Sequence, residues 1–221
     1  MGTGMNIGAD IGKSADPTAV IAVECYRPER LSPREPWPEV RHRIRWIERV
    51  PLGTDYPRVV DKIASIAETA QANGWGNVAI VLDSTGVGEP VKDMLRRRTS
   101  ISLRAITFTG AEKATKVGPY DWNVPKRDLV CALEVVMQTR RVECVPDCPL
   151  QQDLNAELST FDFSISDRGH ASFEASSGNH DDLVLALALA VYWGERPDVG
   201  AAYVEFVRQR TAGREIHPDW R

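Results

Sequence analysis

No apolar run in this sequence is long enough to span a membrane. The longest, Leu183 to Trp193, has eleven residues, where a hydrocarbon core requires about 20 in a helix. The amino terminus, MGTGMNIGADIGKS, lacks the basic start, the apolar stretch and the cleavage site of a secretory signal, so a cytoplasmic protein is expected. Cysteine is scarce. The four present, Cys25, Cys131, Cys144 and Cys148, form no C-x-x-C pair, which argues against a zinc knuckle or a disulfide framework and leaves ordinary reduced thiols. Positive charge is not in excess either, since 27 basic and 31 acidic residues give a formal net charge of −4. That balance is unusual for a protein that coats nucleic acid, where clustered Lys and Arg release counterions from phosphate. Internal repeats and low-complexity tracts are also lacking.

What the chain does have is enough apolar material for one core: 43% hydrophobic and 26% charged residues over 221 positions match an ordinary globular domain. A single domain over 1–221 is expected, with its core at about 5–195 and a helical or polar tail at about 196–221. Asn6 to Ile11 and Thr18 to Cys25 read as apolar strands separated by the turn formers Gly12 to Pro17, an opening hairpin. The proline-rich Arg27 to Pro38 can be neither helix nor central strand, and Val40 to Val50 beyond it alternates as a third strand. Apolar groups at Val59, Val60, Ile63, Ile66, Ala67 and Ala70 give Tyr56 to Ala72 a helical spacing, which Asn73-Gly74 ends. Val78 to Leu82 is an unbroken apolar run, the mark of a strand buried on both faces.

The pattern continues with a helix at Val87 to Arg97, a strand at Ser102 to Phe108, a helix at Lys126 to Gln138 whose first turn Pro125 sets, and a helix at Leu150 to Leu158. Phe161 to Ile165 and Ala171 to Glu174 flank Ser166-Asp167-Arg168-Gly169 as a hairpin, and Asp182 to Trp193 is a helix apolar nearly all round, hence buried. A β-meander, alternating helices and strands, and a final buried helix predict an α/β fold: a mixed central sheet with helices on both faces.

The informative residues are aspartates in apolar company. Asp10 lies inside a strand, between Ala9 and Ile11, where there is no helix end to cap. A buried carboxylate there needs donors, a proton or a cation. Asp83 repeats the situation at the end of the most apolar strand, although Asp before Ser84-Thr85-Gly86 is also a common turn former. Asp181 and Asp182 open the buried helix side by side, where two negative charges raise each other's pKa unless a cation lies between them. An N-cap role is the plainer alternative, and one of the pair is expected to cap while the other binds metal, or both to reach metal. Carboxylates in this number suit Mg²⁺ or Mn²⁺, which take oxygen ligands and complete their shells with water and phosphate. Two such ions can drive an in-line phosphodiester displacement.

Other features carry less. Gly12-Lys13-Ser14 is not a phosphate loop, because Ile7 stands where that motif requires glycine. His180 reads as a capping or outer-shell group beside the helix start. Basic clusters occur at Arg41-His42-Arg43 with Arg45 and Arg49, at Arg96-Arg97-Arg98, at Lys113 and Lys116, at Lys126-Arg127 and at Arg140-Arg141. Each suits a solvated face at least as well as a DNA contact; as DNA contacts the candidates are Lys13, Lys113, Lys116, Lys126 and Arg127.

Taken together, these segments resemble the nuclease domain of the terminase large subunit of tailed bacteriophages, over most of the chain from Gly8 to Trp193. Gly8-Ala9-Asp10-Ile11-Gly12 with Asp16-Pro17-Thr18-Ala19 is similar to the family's first acidic motif. Val81-Leu82-Asp83-Ser84-Thr85-Gly86-Val87-Gly88 is similar to the second, and His180-Asp181-Asp182-Leu183 with Ala186 to Ala190 to the third. Val124 to Leu129 and Leu154-Asn155-Ala156-Glu157-Leu158 resemble the helix and the pre-hairpin segment between them. The resemblance implies a ribonuclease H-like fold, two Mg²⁺ or Mn²⁺ ions, cutting of double-stranded DNA with little sequence preference, and Asp16 as a further acidic residue. It also implies as partners a packaging ATPase domain, the small terminase subunit and the portal.

Two departures stand out. Leu185 occupies a position where many relatives carry another aspartate, and the chain opens on the first nuclease strand with no phosphate loop, as an isolated domain or a protein that is not itself a motor would. A Holliday-junction resolvase using the same metal chemistry and a non-catalytic assembly or DNA-binding module of the same fold remain alternatives. A sugar-kinase or actin-like ATPase needs two lobes and leaves the His-Asp-Asp helix without a role.

Overall fold

The computed structural model describes residues 4–12, 16–32, 34, 36–165, 171–175 and 181–196. The expected meander opens it: β1 (Gly4–Asp10) pairs antiparallel with β2 (Thr18–Tyr26), and β2 with β3 (Arg41–Val50). After α1 (Tyr56–Ala72), β4 (Asn77–Asp83) returns parallel to β1, and after α2 (Gly88–Arg98), β5 (Ser102–Thr109) lies parallel to β4. Three strands join that the sequence pattern does not predict. β6 (Thr115–Lys116) pairs antiparallel with β7 (Asp121–Pro125), which lies parallel to β5; after α3 (Lys126–Gln138), β8 (Val142–Cys144) extends the opposite edge parallel to β3. The resulting eight-stranded mixed sheet has the order β6-β7-β5-β4-β1-β2-β3-β8. α4 (Gln151–Thr160), the antiparallel pair β9 (Phe161–Ile165) and β10 (Ala171–Ala175), and α5 (Asp182–Glu195) complete the described chain. Among the described residues no helix is long and apolar enough to cross a membrane.

Alternation along the strands divides the core in two. Met5, Ile7 and Ala9 of β1 join Ile80 and Leu82 of β4 against α1 and α2, whereas Ala19, Ile21 and Val23 of β2 and Val81 of β4 pack with α3, α4 and α5. Helices therefore cover both faces, as expected. A bulge in β3 keeps this sorting intact: Trp46 pairs with Ala22 but Ile44 with Val23, leaving Arg45 as the extra residue, so Ile44 and Ile47 reach the same core while Trp46 stays 44% exposed. Pro125, expected to set the first turn of α3, is its N-cap and the last residue of β7.

The helix that matters for the site, α5, is pinned at its carboxyl end. Glu195 accepts hydrogen bonds from Nε2 of the fully buried His42 (2.7 Å) and from Nη1 of Arg141 (2.7 Å). Arg43 and Arg45 are tied across the sheet to Glu143 and Glu24. His42, Arg43 and Arg45 of that basic cluster are thus engaged in ion pairs within the chain.

Candidate metal centre

The register of β1 and β4 builds the site. Ala9 pairs with Leu82, so Asp10 and Asp83, the next residues, end two adjacent parallel strands side by side. Both project to the face that α5 covers, because they share the parity of Gly8 and Val81. At Gly8 the α5 backbone packs directly on β1: a Cβ built there would lie 2.0 Å from the Ala186 carbonyl oxygen, and one turn further along Asn6 Nδ2 donates to the Ala190 carbonyl at 3.0 Å. Two strand residues advance about 6.6 Å and four helical residues about 6 Å, so one further step pairs Asp10 with the first residue of α5, Asp182.

The turn after β4 is fixed from several directions. Asp83 Oδ1 accepts from the Thr85 backbone N–H at 2.7 Å, the Ser84 N–H donates to Ile106 and the Phe108 N–H to Thr85 Oγ1, and Gly86 takes φ 64°. Asp83 is therefore a turn former through one oxygen, as the plainer reading allows, and a neighbour of Asp10 through its carboxyl group as a whole. Burial first, then the charges of Asp83, Asp181 and Asp182, push the Asp10 carboxyl well above the ordinary carboxylate range, with Lys126 opposing. Burial also raises Asp83, while Thr85, Lys126 and a hydrogen bond shared with Asp10 draw it back.

Asp181, at the N-cap of α5, does not cap the helix with its side chain. That work is done from α4, where Glu157 Oε2 accepts the Leu183 N–H at 3.0 Å. Asp182 is 4% exposed and is held by Arg49 of β3, whose Nε and Nη2 donate to its Oδ2 at 2.8 Å and its Oδ1 at 3.3 Å. Arg49 also forms an ion pair with Glu157, so one guanidinium ties β3, α4 and α5 together beside the aspartates. Asp181 is half-buried, with Lys126 Nζ 3.8 Å from its Oδ2; burial raises its pKa, Lys126 lowers it, and the charges of Asp182 and Asp16 raise it.

Of the residues singled out in the sequence, Asp10, Asp83, Asp181 and Asp182 come together, with exposed Asp16 near enough to act on Asp181. Lys126, read as a DNA contact, points its charge at these carboxylates. Lys113 and Lys116 are exposed, and Arg127 is held by the Glu112 carbonyl and Asp128. Lys13 and His180 lie outside the described residues. Arg49 and Glu157 are the residues that sequence reasoning missed.

Among the described residues no three Asp, Glu, His or Cys side chains converge as a ready-made metal cage. The residues present nevertheless fit a magnesium-like ion, which takes one or two carboxylates and fills its shell with water and phosphate. Asp10 and Asp83 are such a pair: burial raises both carboxyls and acidic neighbours raise Asp10 further, and a dication between them would offset both effects.

Glu157 gives a pH dependence that can be measured. Burial and then the Asp182 charge push it up to about 7, against Arg49 and the Leu183 and Val184 N–H groups. The native state then holds a proton that the unfolded chain releases near the ordinary Glu value, so stability falls as pH rises between about 4.5 and 7. Glu157→Gln is expected to flatten that fall in thermal melts of the metal-free protein; equal slopes for variant and wild type would contradict the assignment.

No protein-family model and no curated protein matches this sequence. Solved structures do match. The large terminase nuclease from thermophilic phage G20c with bound magnesium superposes at TM-score 0.57 with 21% identity, over 86% of this chain and 81% of that one. The Thermus phage P74-26 large terminase nuclease domain gives 0.52 and 19%, over 85% and 78% of the two chains. The human cytomegalovirus terminase nuclease domain, soaked with manganese, gives 0.55 and 14%, over 90% and 86%. At these identities the likeness establishes the fold, and the ribonuclease H-like mixed sheet expected from the sequence is the one observed.

Proposed function

We propose that this chain is a divalent-metal-dependent endonuclease that cuts concatemeric double-stranded DNA with little sequence preference during genome packaging. The observation that carries this reading is the buried Asp10–Asp83 pair at the ends of adjacent parallel strands, with Asp181 and Asp182 beside it. The phage and cytomegalovirus nucleases that share the fold support it, with magnesium bound in one and manganese soaked into another.

When bound, two Mg²⁺ or Mn²⁺ ions would activate a water and stabilise the leaving 3′ oxygen of the phosphodiester. Asp10, Asp83 and Asp182 are the proposed catalytic ligands, with Asp181 as a further ligand and Asp16 and His180 outside them. Asp10, whose carboxyl is raised by burial and by its acidic neighbours, would hold the cation in its ionised form, which the dication would favour. Asp83 keeps one oxygen on the Thr85 N–H and offers its second. Arg49 orients Asp182, and Lys126 offsets the crowded negative charge. Double-stranded DNA is the proposed partner, with a packaging ATPase domain, the small terminase subunit and the portal beyond it, in the cytoplasm of a host cell.

Plasmid cleavage tests the proposal. With Mn²⁺ or Mg²⁺ the purified chain should nick and linearise supercoiled DNA slowly, more slowly as salt rises, and EDTA, Asp83→Asn and Asp182→Asn should each stop it. A folded wild-type chain that cuts nothing under any of these conditions would move the reading to a non-catalytic module. Selective cutting of four-way junctions over linear duplex would move it to a resolvase.

A further inference from the structure

Most of the described basic side chains near carboxylates are neutralised by them: Lys92 and Arg96 by Asp121, Arg98 by Asp61 and Glu68, Arg141 by Glu39 and Glu195. Arg104, Lys116 and Arg196 differ. Among the described residues none of the three has a carboxylate partner, and all three gather on one aromatic cluster. Trp122 and Trp193 meet edge to face at 5.6 Å; Arg196 lies 3.9 Å over the Trp122 ring and 5.4 Å from both Tyr192 and Trp193. Lys116 Nζ stands 5.7 Å from the Trp122 ring, and Arg104 lies 5.3 Å over Trp193. Asp128, whose charge is felt at Tyr192, is paired with Arg127.

A guanidinium stacked by its flat face keeps its N–H groups pointing outward in the ring plane. Arg196 uses only one described hydrogen bond, to Tyr192 Oη at 3.4 Å, so its charge is held in position with donors to spare. The location is specific as well. Trp122 pairs with Ile106 and Ile106 with Asp83, which sets Trp122 level with Asp83 on the same face, two strands or about 10 Å away. Along α5, Trp193 lies about 16 Å from Asp182 at the helical rise. These spans correspond to about three to five base pairs of duplex.

We infer that Arg104, Lys116 and Arg196, held on Trp122, Trp193 and Tyr192, form a docking surface for the phosphate backbone of duplex DNA about three to five base pairs from the scissile phosphate. The distance to the scissile phosphate rests on the nuclease reading. Phosphate is the ligand in preference to a stacked base, because cations already cover the Trp faces that a base would need. Backbone contact of this kind positions DNA without reading its sequence.

The test is anisotropy of a labelled duplex with Ca²⁺ in place of the cleaving metal, over a salt series. The triple variant Arg104→Gln, Lys116→Gln, Arg196→Gln should bind at least about tenfold more weakly at low salt and lose about 0.9 of slope in log K against log salt for each phosphate contact removed. Lys116→Gln alone, a change at an exposed site that leaves folding intact, should lose about one such unit. Arg97→Gln, on α2 across the sheet, should change neither. Hydrolysis of a small chromogenic phosphodiester, too short to reach the patch, should be the same in variant and wild type. Unchanged affinity and slope in the triple variant overturn the proposal, as does a wild-type chain that binds no duplex. Loss of slope in a protein whose wild type hydrolyses neither substrate keeps the docking surface and removes the nuclease.

Discussion

Asp10→Asn is expected to lower metal-dependent DNA cleavage by at least about a thousandfold, the rate equivalent of about 4 kcal/mol, while making the metal-free protein more stable. The two effects have one cause. Asp10 is buried and faces Asp83, Asp181 and Asp182, and its carboxyl is held far above its unfolded pKa. The native state therefore keeps a proton that the unfolded chain gives up, and stability falls as pH rises from the ordinary Asp value toward the folded one. An amide has no such proton to lose and accepts burial as a neutral hydrogen-bonding group. At neutral pH the variant should melt about 2–4 °C higher, the shift made by about 1 kcal/mol in a domain of this size, and its advantage should shrink as pH drops. Saturating Mn²⁺ should reverse the order, because only the wild type gains stability from binding. Melts with and without metal check both halves. A variant less stable than wild type without metal would show that Asp10 is a structural hydrogen-bonding residue.

Gly8→Ala is expected to be strongly destabilising although it adds a single methyl group. The obstacle it meets is the α5 backbone, with the Ala186 carbonyl oxygen at 2.0 Å and the Ala190 nitrogen at 3.1 Å from the added Cβ. No rotamer relieves a clash with backbone, so the helix must move away from β1. The cost is about 3 kcal/mol or more, or a melting temperature lower by about 6–12 °C. Because α5 begins at Asp182, cleavage should fall further than the loss of folded protein explains. Gly4→Ala supplies the control: it is in the same strand, its Cβ would meet nothing closer than the Asn77 carbonyl oxygen at 3.5 Å, and its effect should stay within about 1 kcal/mol. Equal melting temperatures for the two variants would mean that the packing of α5 on β1 does not set the site.

Much of this was legible in the sequence because the signals are local. β1, β2 and β4 are apolar runs of strand length, α1 and α3 repeat at helical spacing, and Asp10 and Asp83 stand out as carboxylates where those patterns demand core. β6, β7 and β8 were not legible. β7, Asp-Trp-Asn-Val-Pro, is poor in strand formers and is held by pairing with β5 on one side and β6 on the other. The cap of α5 was not legible for a related reason. Asp181 and Asp182 stand where a cap is expected, but the cap comes from Glu157 on another helix. Arg49 carries no mark of its task either: it lies in an Arg-rich strand, and its partners lie 108 and 133 residues away, a distance no periodicity encodes.

If Asp10 and Asp83 hold divalent cations with help from Asp181 or Asp182, anomalous scattering from a manganese-soaked crystal should show density bonded to Asp10 and Asp83 and reaching the start of α5, as two peaks about 3.5–4 Å apart if both ions bind. Manganese found only elsewhere, with none bound to Asp10 or Asp83, would contradict that assignment.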